Sequence, residues 1–122
     1  MSLEIALERI AECKRTKDTS LDLSGLGLTE IPEEVFELVW LEELSFFCGY
    51  GQKGLEIISP EISKLVNLKK LDLSGQKKTD LNPLQGLNQL TQLNLLGTNI
   101  TDLNPLQGLN QLTQLNLSLI HI

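Results

Sequence analysis

Aromatic rings are scarce in this chain: one Trp, one Tyr and three Phe among 122 residues, 4% of the total. So few rings exclude a base-stacking platform for nucleic acid, which needs aromatics interleaved with basic residues. Histidine occurs once, as His121, the second-last residue, with no framed partner for acid–base or nucleophilic chemistry. The two cysteines, Cys13 and Cys48, make neither a disulfide framework nor a metal-ligand spacing, and two reduced thiols are expected. The opening Met-Ser-Leu-Glu-Ile lacks a basic stretch followed by an apolar run, which is not the pattern of a secretion signal. The long uncharged stretches, 81–101 and 103–122, are broken by Asn, Gln and Gly and are unsuited to a bilayer. These absences lead to the expectation of a soluble, cytoplasmic protein.

Charge is uneven. Of a net −6, residues 1–67 hold 6 Lys/Arg against 13 Asp/Glu, and residues 68–122 hold 4 against 3. An acidic first half opposes non-specific attraction to nucleic acid or to an anionic membrane. The small basic patch Lys69-Lys70 and Lys77-Lys78 does not reverse that balance. The signs favour a protein or peptide partner over nucleic acid, membrane or a small-molecule substrate.

What the chain has in abundance is repetition. Residues 79–95 (TDLNPLQGLNQLTQLNL) recur letter for letter at 101–117, an offset of 22 residues. A period between 20 and 50 residues is the mark of a solenoid, in which each unit packs on its neighbours instead of around one globular core. The frame Leu-x-x-Leu-x-Leu appears as Leu68-Lys-Lys-Leu71-Asp-Leu73, Leu90-Thr-Gln-Leu93-Asn-Leu95 and Leu112-Thr-Gln-Leu115-Asn-Leu117. Looser copies start at Asp18 and Leu41. The organisation expected is a capping helix over 1–17, repeats at 18–40, 41–67, 68–89 and 90–111, a partial repeat at 112–117, and a truncated or atypical tail at 118–122.

In each repeat the Leu-x-Leu segment is expected as a short strand with its leucines inward, because strand side chains alternate between faces. Strands from successive repeats should pair in parallel on the concave side. The return segments start at Ile31, Ile58, Leu81 and Leu103, and Pro32, Pro60, Pro83 and Pro105 follow early, where a missing N–H costs least. Short helices or 3₁₀ turns should close the convex side through Val35/Leu38, Ile62/Leu65, Leu84/Leu87 and Leu106/Leu109. At the start, Leu3, Leu7, Ile10, Ala11 and Lys14 are spaced as one helical stripe, with Ser2 available as N-cap. A helix there would cover the apolar end of the first repeat. At the other end, a last repeat with nothing stacked on it would leave Leu112, Leu115 and Leu117 in water. We therefore expect a piece of a longer protein.

The frame resembles the leucine-rich repeat family over roughly residues 18–117. Leu21-Asp-Leu-Ser-Gly-Leu-Gly-Leu-Thr-Glu-Ile-Pro32 resembles the start of the repeat domain in bacterial Roco proteins, which carry a Ras-like GTPase domain after the repeats. Residues 68–117, with Thr-Asp-Leu-Asn-Pro-Leu-Gln-Gly-Leu, resemble the 22-residue repeats of bacterial proteins, internalins among them. The resemblance implies an α/β solenoid that is a curved scaffold for protein–protein contact, non-enzymatic and without a cofactor. The family often places Asn at the ninth position of the repeat, where its side chain bonds turn backbone. Here that position holds Leu26, Gln76 and Thr98, and a looser turn is expected at Leu26. Lys78, at the eleventh position, would lay its stem along the core edge.

One motif tempts towards chemistry. Gly49-Tyr-Gly51-Gln-Lys-Gly54 is a literal G-x-G-x-x-G after the strand-like Leu44-Ser-Phe46, but Pro60 follows too soon for the long helix a dinucleotide fold requires. The 27 residues of repeat 41–67 against 23 in 18–40 instead mark an insertion loop. No G-x-x-x-x-G-K-[ST] occurs. Glu33-Glu34 and Glu42-Glu43 are adjacent carboxylates, which read as a solvated face. Neither cysteine stands out as a nucleophile.

The residues between the inward leucines form the candidate partner-binding face. Column three is Ser20, Glu43, Lys70, Gln92 and Gln114; column five is Asp22, Ser45, Asp72, Asn94 and Asn116. Column seven is Ser24, Phe47, Ser74, Leu96 and Ser118. Amides and carboxylates there can bond a peptide or protein surface, and Phe47 and Leu96 are the bulky apolar members, the type that anchors interfaces. The plainer readings are that Phe47 packs under the glycine loop and that Leu96 is a scattered surface leucine. Trp40 is expected to brace the turn into the second strand, and Tyr50, at the tip of the insertion, to face a partner.

Overall fold

A computed structural model describes residues 2–49, 51–77, 80–100 and 102–117. One α-helix, α1 (Ser2–Thr16), precedes five short strands: β1 (Ser20–Asp22), β2 (Glu43–Ser45), β3 (Lys70–Asp72), β4 (Gln92–Leu95) and β5 (Gln114–Leu117). They form one parallel sheet in the order β1-β2-β3-β4-β5. Between them, 3₁₀ segments run at Glu33–Glu37, Pro60–Lys64, Asn82–Gly86 and Asn104–Leu106.

The register is unbroken. Leu21, Leu44, Leu71, Leu93 and Leu115 stand opposite one another across all five strands. Backbone pairing continues past the strands, from Gly25 N–H to Phe47 O, Cys48 N–H to Ser74 O and Gly75 N–H to Leu96 O, each at 2.8–2.9 Å. A one-residue slip would turn every leucine outward, so the buried column holds the register.

Leu23, Phe46, Leu73 and Leu95 line the interior beside that column, and Val35/Leu38, Ile62/Leu65, Leu84/Leu87 and Leu106/Leu109 close the far side, all buried. The prolines sit at or just before the first turn of each 3₁₀ segment. There φ is already near the proline value and no intrahelical N–H is lost. Asp80 and Asp102 each accept the amide two residues on, at 2.9 Å, and so shape the entry to their segments.

Two expectations are corrected. The helix buries Ala6, Ile10 and Cys13, not the Leu3–Leu7–Ile10–Ala11 stripe, and Leu3, Leu7 and Ala11 are exposed. Small Ala6 and Cys13 let the helix axis approach the first repeat, to which bulkier leucines would hold it off. Ser2 is the first helical residue rather than a residue preceding the helix. Leu115, inward by register, is 36% exposed, while its counterpart Leu93 is 1% exposed, because among the described residues no coil lies against β5 on its outer side. Leu112 and Leu117 are half-buried for the same reason. Lys78 and the tail 118–122 fall outside the described residues, and with them His121 and Ser118.

Candidate functional site

The polar face of the sheet is built by alternation. Each strand places one residue between two buried ones, so columns three and five stand side by side across the strands. Register pairs Ser20, Glu43, Lys70, Gln92 and Gln114 in one row and Asp22, Ser45, Asp72, Asn94 and Asn116 in the next. A groove of about 340 Å³ crosses them, lined by Ser20, Asp22, Glu43, Ser45, Lys70, Asp72, Gln92, Asn94 and Asn116. Gln114 is exposed at its open edge. Phe47 and Leu96 lie further along, at the carboxyl ends of the strands, and both are exposed, so Phe47 is not packed away beneath the glycine loop. Tyr50 lies outside the described residues.

Column five has a second task that the sequence did not announce. Asp22, Asp72 and Asn94 each turn one oxygen back onto the amide two residues on, at 2.8, 2.8 and 3.1 Å to Ser24, Ser74 and Leu96. Ser45 does the same more weakly to Phe47 at 3.4 Å. Short polar side chains bond local backbone in this way, and here the bond ends each strand and sets the direction of column seven. Among the described residues the second Asp72 oxygen and the Asn94 amide nitrogen make no such bond and remain for an outside molecule. The hydrogen bond from Ser24 holds the Asp22 carboxyl below the usual aspartate range, with Arg9 adding a favourable charge.

Electrostatics on the face are mild. Lys70 approaches Glu43 at 3.9 Å and Lys69 approaches Glu42 at 3.8 Å, all four well exposed, so neither pair adds much stability. Arg9 donates to the backbone oxygen of Asp22 at 2.9 Å and ties α1 to the first strand.

The turns beside the face use glutamines where asparagine was missing. Gln76 is buried; its oxygen accepts from Leu55 N–H and its nitrogen donates to Phe46 O. Thr98 donates its hydroxyl to Leu95 O at 2.8 Å. The turn at Leu26 is tied from outside: Gln52, in the insertion loop, donates to Gly25 O at 2.7 Å and accepts from Gly49 N–H at 2.8 Å. Gln52 thus commits its carboxamide to the neighbouring coil and to the loop itself, and no helix follows the loop before Pro60. Cys48 is buried against the loop carbonyls of Gln52 and Lys53. Trp40 braces the segment before β1, donating to Asp18 O at 3.0 Å with Lys17 4.0 Å over its ring. Among the described residues, no cluster of His, Cys, Asp or Glu could hold a metal ion, and both cysteines are free thiols.

Compared by sequence, the chain matches no family model and no curated protein. Compared by structure, it is similar to an internalin C2 from Listeria monocytogenes, at 21% identity and TM-score 0.59 over 89% of this chain and 55% of that one. It is also similar to a leucine-rich-repeat protein from Leptospira interrogans, at 22% identity and TM-score 0.60, over 88% and 33%. A second Listeria internalin, inlF, aligns at 21% identity and TM-score 0.56, over 88% and 37%. The fold is that of a leucine-rich repeat protein. As a leucine-rich-repeat solenoid the chain spans from a third to about half the length of these neighbours. No helix among its described residues is long and apolar enough to cross a membrane.

Proposed function

We propose that this leucine-rich-repeat solenoid is a non-enzymatic protein-binding module that takes a protein or peptide on the sheet face. The observation that supports this most is the unbroken register of polar residues over a groove that none of the described residues fills. The short side chains of column five on a rigid sheet lose little entropy on binding, and rigid pre-formed surfaces keep more of their contact energy. Ser20, Asp22, Glu43, Ser45, Phe47, Lys70, Asp72, Gln92, Asn94, Leu96, Gln114 and Asn116 are the residues offered to the partner. Two buried free thiols fit a reducing compartment, in line with a cytoplasmic location.

Site-specific photo-crosslinking tests the face. With a benzophenone amino acid at Gln92 on the sheet or at Val66 on the outer side, both exposed or half-exposed, adducts in the cell of origin should form from Gln92 and disappear with Asn94→Arg. Equal adducts from both positions, or adducts indifferent to Asn94→Arg, would overturn the assignment.

A second reading rests on the stretch Leu21–Pro32: a regulatory repeat arm of a Roco-like GTPase. Its test is the sequence that continues the reading frame in the genome. A G-x-x-x-x-G-K-[ST] motif in a strand–loop–helix setting supports this reading, and an uninterrupted run of further repeats counts against it.

A further inference from the structure

Column seven alternates in size: Ser24, Phe47, Ser74, Leu96. Backbone bonds from Cys48 to Ser74 and from Gly75 to Leu96 set these residues on adjacent coils. Phe47 and Leu96 are therefore two strand spacings apart, about 9–10 Å, with one serine between them. Both large residues are exposed to nearly the same degree, 45% and 46%, while Ser74 is buried at 6%. The result is a notch with two apolar walls and a low floor.

Ser74, at the centre of the floor, has no donor to spare. The Ser74 hydroxyl is committed to Asp72 at 2.5 Å, and its amide bonds the same carboxylate oxygen at 2.8 Å. Gly75 and Gly97 continue the floor towards the turn, and the glycine-rich loop forms one flank through Gly49 and Gln52. The groove holding the notch measures about 900 Å³, room for several residues of an extended segment.

Charge orders the groove along the strand direction. At the strand end, the Asp72 carboxylate makes no ion pair among the described residues. The other acids of the face differ: Glu43 has Lys70 beside it, and Asp22 has Arg9. At the turn end, Lys77 gives its ammonium to Gly97 O at 3.2 Å. An apolar notch beside one uncompensated carboxylate complements an apolar side chain next to a cation.

We infer that the notch between Phe47 and Leu96 seats one apolar side chain of an extended partner segment, whose adjacent Lys or Arg reaches Asp72. This deepens the protein-binding reading and rests on it. It assigns the partner a chemistry, apolar beside basic, and gives the two exposed apolar residues of the face a common purpose. Asp72 orders the notch through Ser74 with one oxygen and leaves the other to the incoming cation.

A displayed library of random 12-residue peptides, selected on the whole chain, tests it. The enriched peptides should share an apolar residue flanked by Lys or Arg. Each should bind roughly tenfold or more weakly to Phe47→Ser or Leu96→Ser, the loss typical of an anchor side chain. Serine is the residue three other repeats carry at this column, as Ser24, Ser74 and Ser118, and circular dichroism of each variant confirms folding. Asp72→Asn should weaken peptides with the basic residue and leave unchanged those in which it is replaced by Gln. If the enriched peptides resist both serine variants but are lost with Asn94→Arg, the notch is wrong and the sheet face stands. If peptides carry acidic residues in place of basic ones, the charge assignment is wrong. If none is enriched, or binding survives Asn94→Arg as well as both serine variants, the notch and the face fall together.

Discussion

The side-chain oxygen of Gln76 accepts a hydrogen bond from the Leu55 backbone N–H at 2.6 Å, across 21 residues of chain. Its nitrogen donates to Phe46 O at 2.5 Å, so one buried carboxamide joins the end of β2's coil to the exit of the insertion loop. Both partners are backbone groups that would otherwise be buried without a bond, and it is that loss which makes such a contact matter.

Gln76→Ala should therefore destabilise the chain by about 2–4 kcal/mol, since two buried backbone groups lose their partner. Urea unfolding measures it, and amide exchange should quicken at Leu55 before it does at Leu71. Gly54→Ala should act in the same direction, because a Cβ there would stand 2.3 Å from the Gln76 oxygen. A neutral Gln76→Ala would show that the bond is not formed in solution.

Leu93 and Leu115 occupy the same place in identical 17-residue stretches and differ in burial. Leu93→Ala should cost about 2–5 kcal/mol, as a buried leucine does, and Leu115→Ala about 1 kcal/mol or less. Equal losses would mean that the outer side of β5 is covered in solution.

Gly25 and Gly75 both have positive φ, +74° and +79°. A Cβ at Gly25 meets nothing within 4 Å, whereas at Gly75 it would stand 2.0 Å from Cys48 O. Gly25→Ala should lose about 1–2 kcal/mol from the left-handed backbone alone. Gly75→Ala should lose distinctly more and move the Cys48 turn. Chemical denaturation separates the two, and thiol accessibility at Cys48, now buried, should rise only in the second.

Asp22 titrates below its unfolded value, chiefly through its hydrogen bond with Ser24. A depressed folded pKa contributes stability that is present above the unfolded pKa and is lost as pH falls through the folded pKa. Asp22→Asn should thus be slightly less stable than the parent at pH 7, with the gap closing below about pH 4. The effect is small, because the carboxylate is exposed and screened. A gap that widens on acidification would reverse the sign and contradict the assignment.

The strands, their register and the polar columns were legible because each follows from the two-residue alternation of leucine with short polar residues. The 3₁₀ segments were legible from a proline after an apolar anchor. The capping helix was seen but its buried face was misjudged. Residue spacing favoured Leu3 and Leu7, whereas the helix buries the small Ala6 and Cys13 together with Ile10. Nor did spacing show that Asp22, Asp72 and Asn94 each give an oxygen to their own backbone.

The sequence by itself determined the period and which strand side chains turn inward, because these depend on residue type at local spacing. Only the tertiary structure decided what replaces the missing asparagines: Gln76 reaches Phe46 across 30 residues, and Gln52 reaches Gly25 across 27. It also set how far Leu93 and Leu115 differ, 1% against 36% exposed, though the same seventeen letters surround them. Burial belongs to the coil stacked alongside, and that neighbour is set by the fold and not by the residues on either side in the chain.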